Sequence, residues 1–138
     1  MLALCFLFTF SVNALAGKSE KLARIHWEKE IENTTTLVFK NHYGDIRLRS
    51  TEDEKLVFHA VGQDSKKHKI QLKFDESNNQ IVAEVKFSNE NQLPTDHRLD
   101  AVIIVPSTLN LDIEIENGEL SSKGLKSQVT AKSTNSNI

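Results

Sequence analysis

Short segments in which apolar and polar residues alternate strictly constrain this chain more than any other feature. In residues 45–50, Ile46 and Leu48 fall on one side of an extended backbone and the charged residues on the other. Residues 70–74 and 111–115 repeat this pattern. A period of two residues with a charged outer side is typical of a strand buried on one face only.

Further β-branched, aromatic or apolar runs, bounded by polar turns, predict at least seven strands and an all-β fold. These runs cover residues 35–39, 55–61, 81–87 and 99–105. Residues 101–105 are apolar without interruption, so we expect that strand to be covered on both faces. The polar segment 18–32 is compatible with a short helix or an irregular edge strand, and no helix is expected after it.

The first sixteen residues have the composition of a secretory signal peptide. They carry no charge, and their apolar stretch ends in Ala14-Leu15-Ala16, the small-x-small pattern that a signal peptidase cleaves. The segment is too short to cross a membrane as a helix. We therefore expect an exported protein, in the periplasm or at the cell surface, that loses its single cysteine, Cys5, with the signal peptide.

A chain of 138 residues is long enough for one domain. The organisation that we predict is a signal peptide over residues 1–16, a polar lead-in or cap over 17–34, and a β-domain over 35–138 that is truncated at its C-terminal end. Trp27, in the lead-in, is expected to plug the open end of the β-stack, with exposure for glycan stacking as the alternative. The basic run 66–69 is expected to cap a hairpin turn, with contact to an anionic polymer at a cell surface as the alternative.

Asparagine and glycine recur at the turns, where backbone corners need a positive φ. Residues 115–120 align with residues 133–138 at an offset of 18, and residues 43–46 are a third copy of the same turn. Such a recurring unit is typical of stacked β-coils. The structural turn residues that we single out are Asn41, Gly44, Asp45, Asn117, Gly118 and Asn135.

Three segments, NHYGDI at 41–46, RLDAVIIVP at 98–106 and ENGEL at 116–120, resemble one family in their order and spacing. They are similar to the exported bacterial adhesin-like domains called DUF4097, with the related DUF2807 head domain. The resemblance covers about residues 27–138, although Ser136 stands where the family mostly has glycine. It implies a right-handed parallel β-solenoid or β-roll without an established enzymatic activity. An antiparallel β-sandwich is the alternative architecture.

The histidines form no sequence motif, because no two of them have metal-ligand spacing. The five are His26, His42, His59, His68 and His97. We expect His59, on an alternating strand, to face solvent. Convergence of His42 and His97 with an acid stays open, but the spacing predicts no metal site.

The acidic residues give no catalytic motif either. Asp112, Glu114 and Glu116 alternate as on the solvated face of any strand. Asp100, beside Arg98 at the start of the most apolar run, is expected to form a strand-edge ion pair or to cap a turn. The sequence contains neither a nucleophile elbow nor a phosphate-binding glycine loop. We therefore expect no catalytic residues, no cofactor and no enzymatic activity.

The net charge limits the classes of partner that the protein is expected to bind. A formal net charge of −2 gives no general affinity for nucleic acid, and no stable membrane span is expected. The function that we predict is an exported non-enzymatic adhesin-like or envelope scaffold domain, which presents a polar β-sheet face to a surface glycan or protein. Two alternatives stay open: a periplasmic accessory or sensing domain that binds a protein partner, and a polysaccharide-active β-helix enzyme.

Overall fold

The computed structural model describes residues 21–32, 35–64, 70–87 and 97–137, and every regular element within these ranges is a β-strand. The all-β class is therefore confirmed. The described part of the chain contains no helix that could span a membrane. The predicted signal peptide, the basic run 66–69 and the loop 89–96 lie outside the described residues. The strands are β1 (Lys21–Glu30), β2 (Thr36–Tyr43), β3 (Ile46–Thr51), β4 (Lys55–Asp64), β5 (Ile70–Ser77), β6 (Gln80–Phe87), β7 (Leu99–Pro106), β8 (Asn110–Lys123) and β9 (Val129–Asn137).

The strands form one hydrogen-bonded path in the order β1-β4-β7-β3-β8-β2-β6-β5, and β9 lies beside β8. The long strand β8 makes the path continuous, because its first part pairs with β2 and its last part with β3. We call the half that contains β1, β4, β7, β3 and the end of β8 sheet A. The half that contains β5, β6, β2, the start of β8 and β9 is sheet B. The outer strands β1 and β5 approach each other, so that the sheet is nearly closed like a barrel.

Strand pairing is mixed. The ladders β9-β8-β2-β6 and β8-β3-β7 are parallel, as expected for stacked coils. The ladders β1-β4, β4-β7 and β5-β6 are antiparallel. The antiparallel strands give a mixed, barrel-like sheet, so the regular parallel solenoid is not confirmed. The parallel ladders exclude the alternative of a purely antiparallel sandwich.

The register confirms the internal repeat read from the sequence. Ile115 pairs with Ser133 and Asn117 with Asn135, which is the offset of 18 residues found in the alignment. Tyr43 also pairs with Asn117, so the third copy of the turn stacks on the second. Equivalent positions of the repeat therefore lie side by side in neighbouring strands.

The core lies between the inner faces of the two sheets and follows the period-two pattern. The largest side chains that are fully buried in it are Phe39, Phe58, Leu37, Ile46, Leu48, Leu56, Leu99, Ile103, Leu109, Ile113, Ile115 and Val105. Alternate residues at the start of β3 and β8 point into this core, while the charged residues between them lie on the outer face. Each large side chain buried in this way contributes about 1.5–3 kcal/mol.

An aromatic cluster closes the barrel between its outer strands. Trp27 of β1 stacks on Phe74 of β5 with ring centroids 4.1 Å apart, and Phe58 meets both rings edge-on. An ion pair between Lys29 and Glu76 joins the same two strands. The segment left open as helix or edge strand is thus a strand, and Trp27 packs against the core as the plugging interpretation predicts.

Strand β7 corrects one expectation. Ala101, Ile103 and Val105 are buried, but Val102 and Ile104 are only half-buried, so the strand is not covered on both faces. Strand β7 is instead an interior strand of sheet A, between β4 and β3. On its outer face Val102 lies between His59 and Arg47.

Three chain segments stack at the corner where the sheets meet. Gly44 follows β2 and Gly118 lies within β8, with φ angles of 128° and 147°. The Gly44 N–H donates to the Asn117 carbonyl at 2.9 Å. A Cβ atom on Gly44 would overlap the Leu99 carbonyl oxygen, and one on Gly118 would overlap the Gly44 carbonyl oxygen. Only glycine permits this φ together with this close approach of backbones.

We predict that Gly44→Ala and Gly118→Ala each lower the free energy of unfolding by about 3 kcal/mol or more, since each adds backbone strain to a backbone clash. Gly124→Ala is the matched control. Gly124 also has a positive φ, of 77°, but its Cβ would meet only the Ser50 side chain. The control should cost about 1–2 kcal/mol. Urea unfolding followed by Trp27 fluorescence measures all three, and equal losses would contradict the stacked corner.

Candidate functional site

A polar network locks the corner. The Arg98 Nε donates to both carboxylate oxygens of Asp100, at 2.9 and 3.0 Å, and its Nη2 donates to Asp45 Oδ2 at 2.7 Å. The Asp100 carboxylate also accepts the backbone N–H of Asp45 at 2.8 Å, and that of Asp45 accepts the N–H of Glu119 at 3.0 Å. Each aspartate thus binds the next segment of the stack. Asp100 forms both the ion pair and the turn cap predicted from the sequence.

The charge on Arg98 is held firmly by this network. The hydrogen bond to Asp100 raises the pKa of the Arg98 guanidinium above its usual value, and the charges of Asp100 and Asp45 add to the effect against partial desolvation. The Tyr43 ring lies 5.7 Å from the guanidinium carbon, at cation–π distance. Arg98 therefore stays charged and neutralises two neighbouring carboxylates.

The asparagines of the turn motif have different positions around the same corner. Asn41 is buried, and its side-chain amide donates to the Leu99 carbonyl at 2.9 Å. The Asn117 amide donates to the His42 carbonyl at 3.3 Å. Asn135 lies opposite Asn117 on β9 and is exposed. The corner thus brings together Asn41, Gly44, Asp45, Asn117 and Gly118, whereas Asn135 only pairs with Asn117 in the ladder of β8 and β9.

The outer face of sheet B neutralises its own charges. One row across its five strands reads Lys73, Glu84, Lys40, Glu114 and Lys132, with opposite charges at every step of the register. The Lys40 Nζ lies 3.1 Å from the Glu114 carboxylate. Opposite charges on facing strand positions stabilise a sheet, so the charges of this row balance one another across the strands.

The outer face of sheet A has the opposite character. Arg47 and Arg49 point outward from β3, and Lys123 at the end of β8 lies directly opposite Arg49. Like charges on facing strands repel each other. Within the described ranges, none of these three cations has an ion-pair partner. We call Arg47, Arg49 and Lys123 the cationic patch.

An open groove of about 280 Å³ lies along this patch. It is lined by Asp45, Arg47, Arg49, Glu119 and Ser121. The carboxylate of Asp45 is already engaged by Arg98, so Glu119 is the acid at the corner end of the groove. The two arginines of this lining, with Ser121 opposite Arg47, suit carboxylate or sulfate groups, which arginine binds with two parallel hydrogen bonds.

The strands bring together two histidines that the sequence left apart. His26 of β1 lies opposite His59 of β4, and both are exposed, as predicted for His59. His42 lies on sheet B, where its Nδ1 is 3.0 Å from the Glu116 carboxylate. His97 immediately precedes β7, and His68 lies outside the described residues. Among the described side chains, no group of three or more potential ligands converges on one metal position.

No protein-family model and no curated protein matches this sequence. The resemblance to DUF4097 therefore stays a resemblance of motifs.

Three solved structures with adhesion-related descriptions are similar to the chain. The first is a candidate cell adhesion protein from Clostridium sporogenes (14% identity, TM-score 0.44, 80% of this chain and 59% of that one). The second is a candidate adhesin from Parabacteroides merdae (7% identity, TM-score 0.48, 83% of this chain and 45% of that one). The third is a candidate adhesin from Bacteroides fragilis (14% identity, TM-score 0.46, 87% of this chain and 62% of that one). The chain thus spans 45% to 62% of the length of these proteins.

We predict that Arg98→Met, which keeps the aliphatic stem but removes the guanidinium, lowers the free energy of unfolding by about 1–3 kcal/mol. The loss arises because Asp45 and Asp100 then repel each other at the corner. Lys126→Met is the control, since its ion pair with Glu52 is highly exposed at 3.5 Å and should contribute little. Urea unfolding of both variants tests this, and indistinguishable midpoints would show that the network does not hold the corner.

Proposed function

We propose that this protein is an exported, non-enzymatic, adhesin-like or envelope scaffold domain that binds anionic polymers through the outer face of sheet A. The observation that carries the proposal is the contrast between the two outer faces. On sheet B opposite charges face each other at every step of the row from Lys73 to Lys132, whereas on sheet A Arg49 faces Lys123, and Arg47, Arg49 and Lys123 have no ion-pair partner among the described residues. Unpaired neighbouring cations favour an anionic ligand.

The patch stands on a rigid part of the sheet. Strand β3 is held by parallel ladders to β7 on one side and to β8 on the other. Ile46 and Leu48, which alternate with the two arginines, are buried in the core. The arginine Cα atoms are therefore fixed about 6.7 Å apart on one face. Binding then costs little ordering of the backbone, which favours affinity for a repeating polymer.

The ligand class follows from the chemistry of the patch. Guanidinium groups bind carboxylates and sulfates in the same geometry, so acidic surface polysaccharides of either kind fit. The half-buried side chains of Val102 and Ile104 lie next to the arginines and offer a small apolar surface for sugar rings. Contacts of this exposed kind are individually weak and screened by salt. We therefore expect modest affinity that increases on a polymer with many repeats.

The test is binding of the full chain to three immobilised polymers: polygalacturonate, dextran sulfate and uncharged dextran. The double substitution Arg47→Ser with Arg49→Ser should lower the affinity for the charged polymers at least about tenfold, since it removes two charge-assisted contacts. The wild-type affinity should fall as salt rises from 50 to 500 mM, roughly the range over which surface charges become screened. A preference between the first two polymers distinguishes carboxylate from sulfate.

The matched control is Lys73→Ser with Lys132→Ser, which makes the same change of net charge on sheet B. It should leave polymer binding unchanged. Equal losses in both double variants would show that net charge, and not the cationic patch, governs binding. Equal binding to uncharged dextran would also contradict the proposal.

One observation favours a protein partner as a second candidate. Strand β9 pairs with β8 on one side, and no strand of the described part of the chain lies on its other side. An open edge of this kind accepts an added strand from another protein. A stoichiometric partner that slows amide hydrogen exchange along β9, but not along β3, would support this function over polymer binding.

The polysaccharide-active enzyme finds no support in the positions of its candidate acids. The Asp100 carboxylate is bound by Arg98 and by the Asp45 N–H. Asp112 lies opposite Val38 and Thr130, and Glu114, the next acid on the same face of β8, forms an ion pair with Lys40. A glycosidase needs two carboxylates on either side of the scissile bond. We therefore keep the non-enzymatic function as the proposal.

A further inference from the structure

We propose that His26 and His59 form a binding site for a divalent late transition-metal ion, zinc or copper, on the outer face of sheet A. The two Nδ1 atoms lie 3.1 Å apart, and the ring centroids are 4.7 Å apart. Two nitrogen ligands at about 2.0–2.1 Å from a tetrahedral metal ion are separated by about 3.3 Å. At this distance one Nδ1 donates a hydrogen bond to the other, so an ion that takes both lone pairs would displace this proton to solvent.

The backbone fixes this spacing. His26 and His59 are direct partners in the antiparallel ladder of β1 and β4. Side chains in such positions leave the sheet on the same face, with Cβ atoms about 5 Å apart. Strand β4 also pairs with β7 on its other side, so His59 lies on an interior strand of sheet A. The site is therefore largely preformed by strand register, although 33 residues separate its ligands.

A carboxylate lies beside the outer nitrogen of His26, as is common for metal-binding histidines. The Glu28 Oε2 lies 3.4 Å from the His26 Nε2, and the Lys55 Nζ is 3.5 Å from the other carboxylate oxygen. The negative charge favours the tautomer of His26 that carries its proton on Nε2. The Nδ1 lone pair then faces His59 and is available to a metal ion, as in carboxylate–histidine–metal triads.

The two nitrogen ligands determine which class of metal ion the site prefers. Two imidazole nitrogens suit zinc, copper and nickel, whereas calcium and magnesium take oxygen ligands. The order of affinities for first-row divalent ions places copper above nickel and zinc. The His26 side chain is 54% exposed, so water or an external ligand has room to fill the remaining positions. The ion would also link the edge strand β1 to β4.

Binding is measured with zinc chloride and copper sulfate on the full chain, purified without a histidine tag and carrying Cys5→Ser, which removes the competing thiol. Zinc should shift the ring nitrogen resonances of His26 and His59 in NMR spectra, and those of His42 should not move. Isothermal titration should give one site per chain, with copper binding more tightly than zinc. A saturating excess of zinc should raise the midpoint of thermal unfolding, because the ion binds only the folded chain.

Three variants decide the assignment. His26→Asn and His59→Asn should each abolish the saturable site and the thermal shift. Glu28→Gln should weaken binding about tenfold while keeping one site, because it removes only the group that orients His26. His42→Asn, the control, should change nothing. Circular dichroism checks that each variant is folded. Zinc and copper binding that persists in the folded His26→Asn variant, or no saturable binding in the parent, would overturn the proposal.

Discussion

The close approach of three backbones at the corner between the sheets is the constraint on which the rest of the structure depends. Because Gly44 and Gly118 have no Cβ atom, the three segments can approach closely. The Gly44 N–H donates to the Asn117 carbonyl and the Ala101 N–H to the Asp45 carbonyl, both at 2.9 Å. Arg98 then balances the two aspartates whose carboxylates bind the next segment. The contact is mostly between buried or half-buried polar groups, so its loss leaves unsatisfied donors as well as a gap.

This corner sets which side chains share a face. It fixes the register of β3 against β7 and β8, and a slip of one residue would turn Arg47 and Arg49 into the core. The same register places Val102 between Arg47 and His59, so that the cationic patch and the histidine pair lie along one row of sheet A. On the described part of sheet B, by contrast, opposite charges face each other across the row from Lys73 to Lys132. Both of the sites that we propose therefore lie on one side of the molecule.

Local patterns in the sequence predicted the strands and the repeat, because alternation and corner glycines are properties of neighbouring residues. The alternation of Ala23, Ile25 and Trp27 also contained the signal for β1, although the polar residues of that segment obscured it. Pairing between distant strands leaves no such local signal. The contact of Arg98 with Asp45 spans 53 residues, and the pairing of Arg49 with Lys123 joins β3 to β8. The candidate sites therefore emerge only from the fold.

Amide hydrogen exchange, followed by NMR on the full chain, tests the role of the corner most directly. We predict that the N–H groups of Gly44, Asp45, Ala101 and Glu119 exchange as slowly as those in the middle of β7, since opening any of them requires unfolding of the whole sheet. Fast exchange at these four amides, with slow exchange retained in β7, would contradict the account. The corner would then be a surface turn, and the sheets would be held together by their apolar core alone.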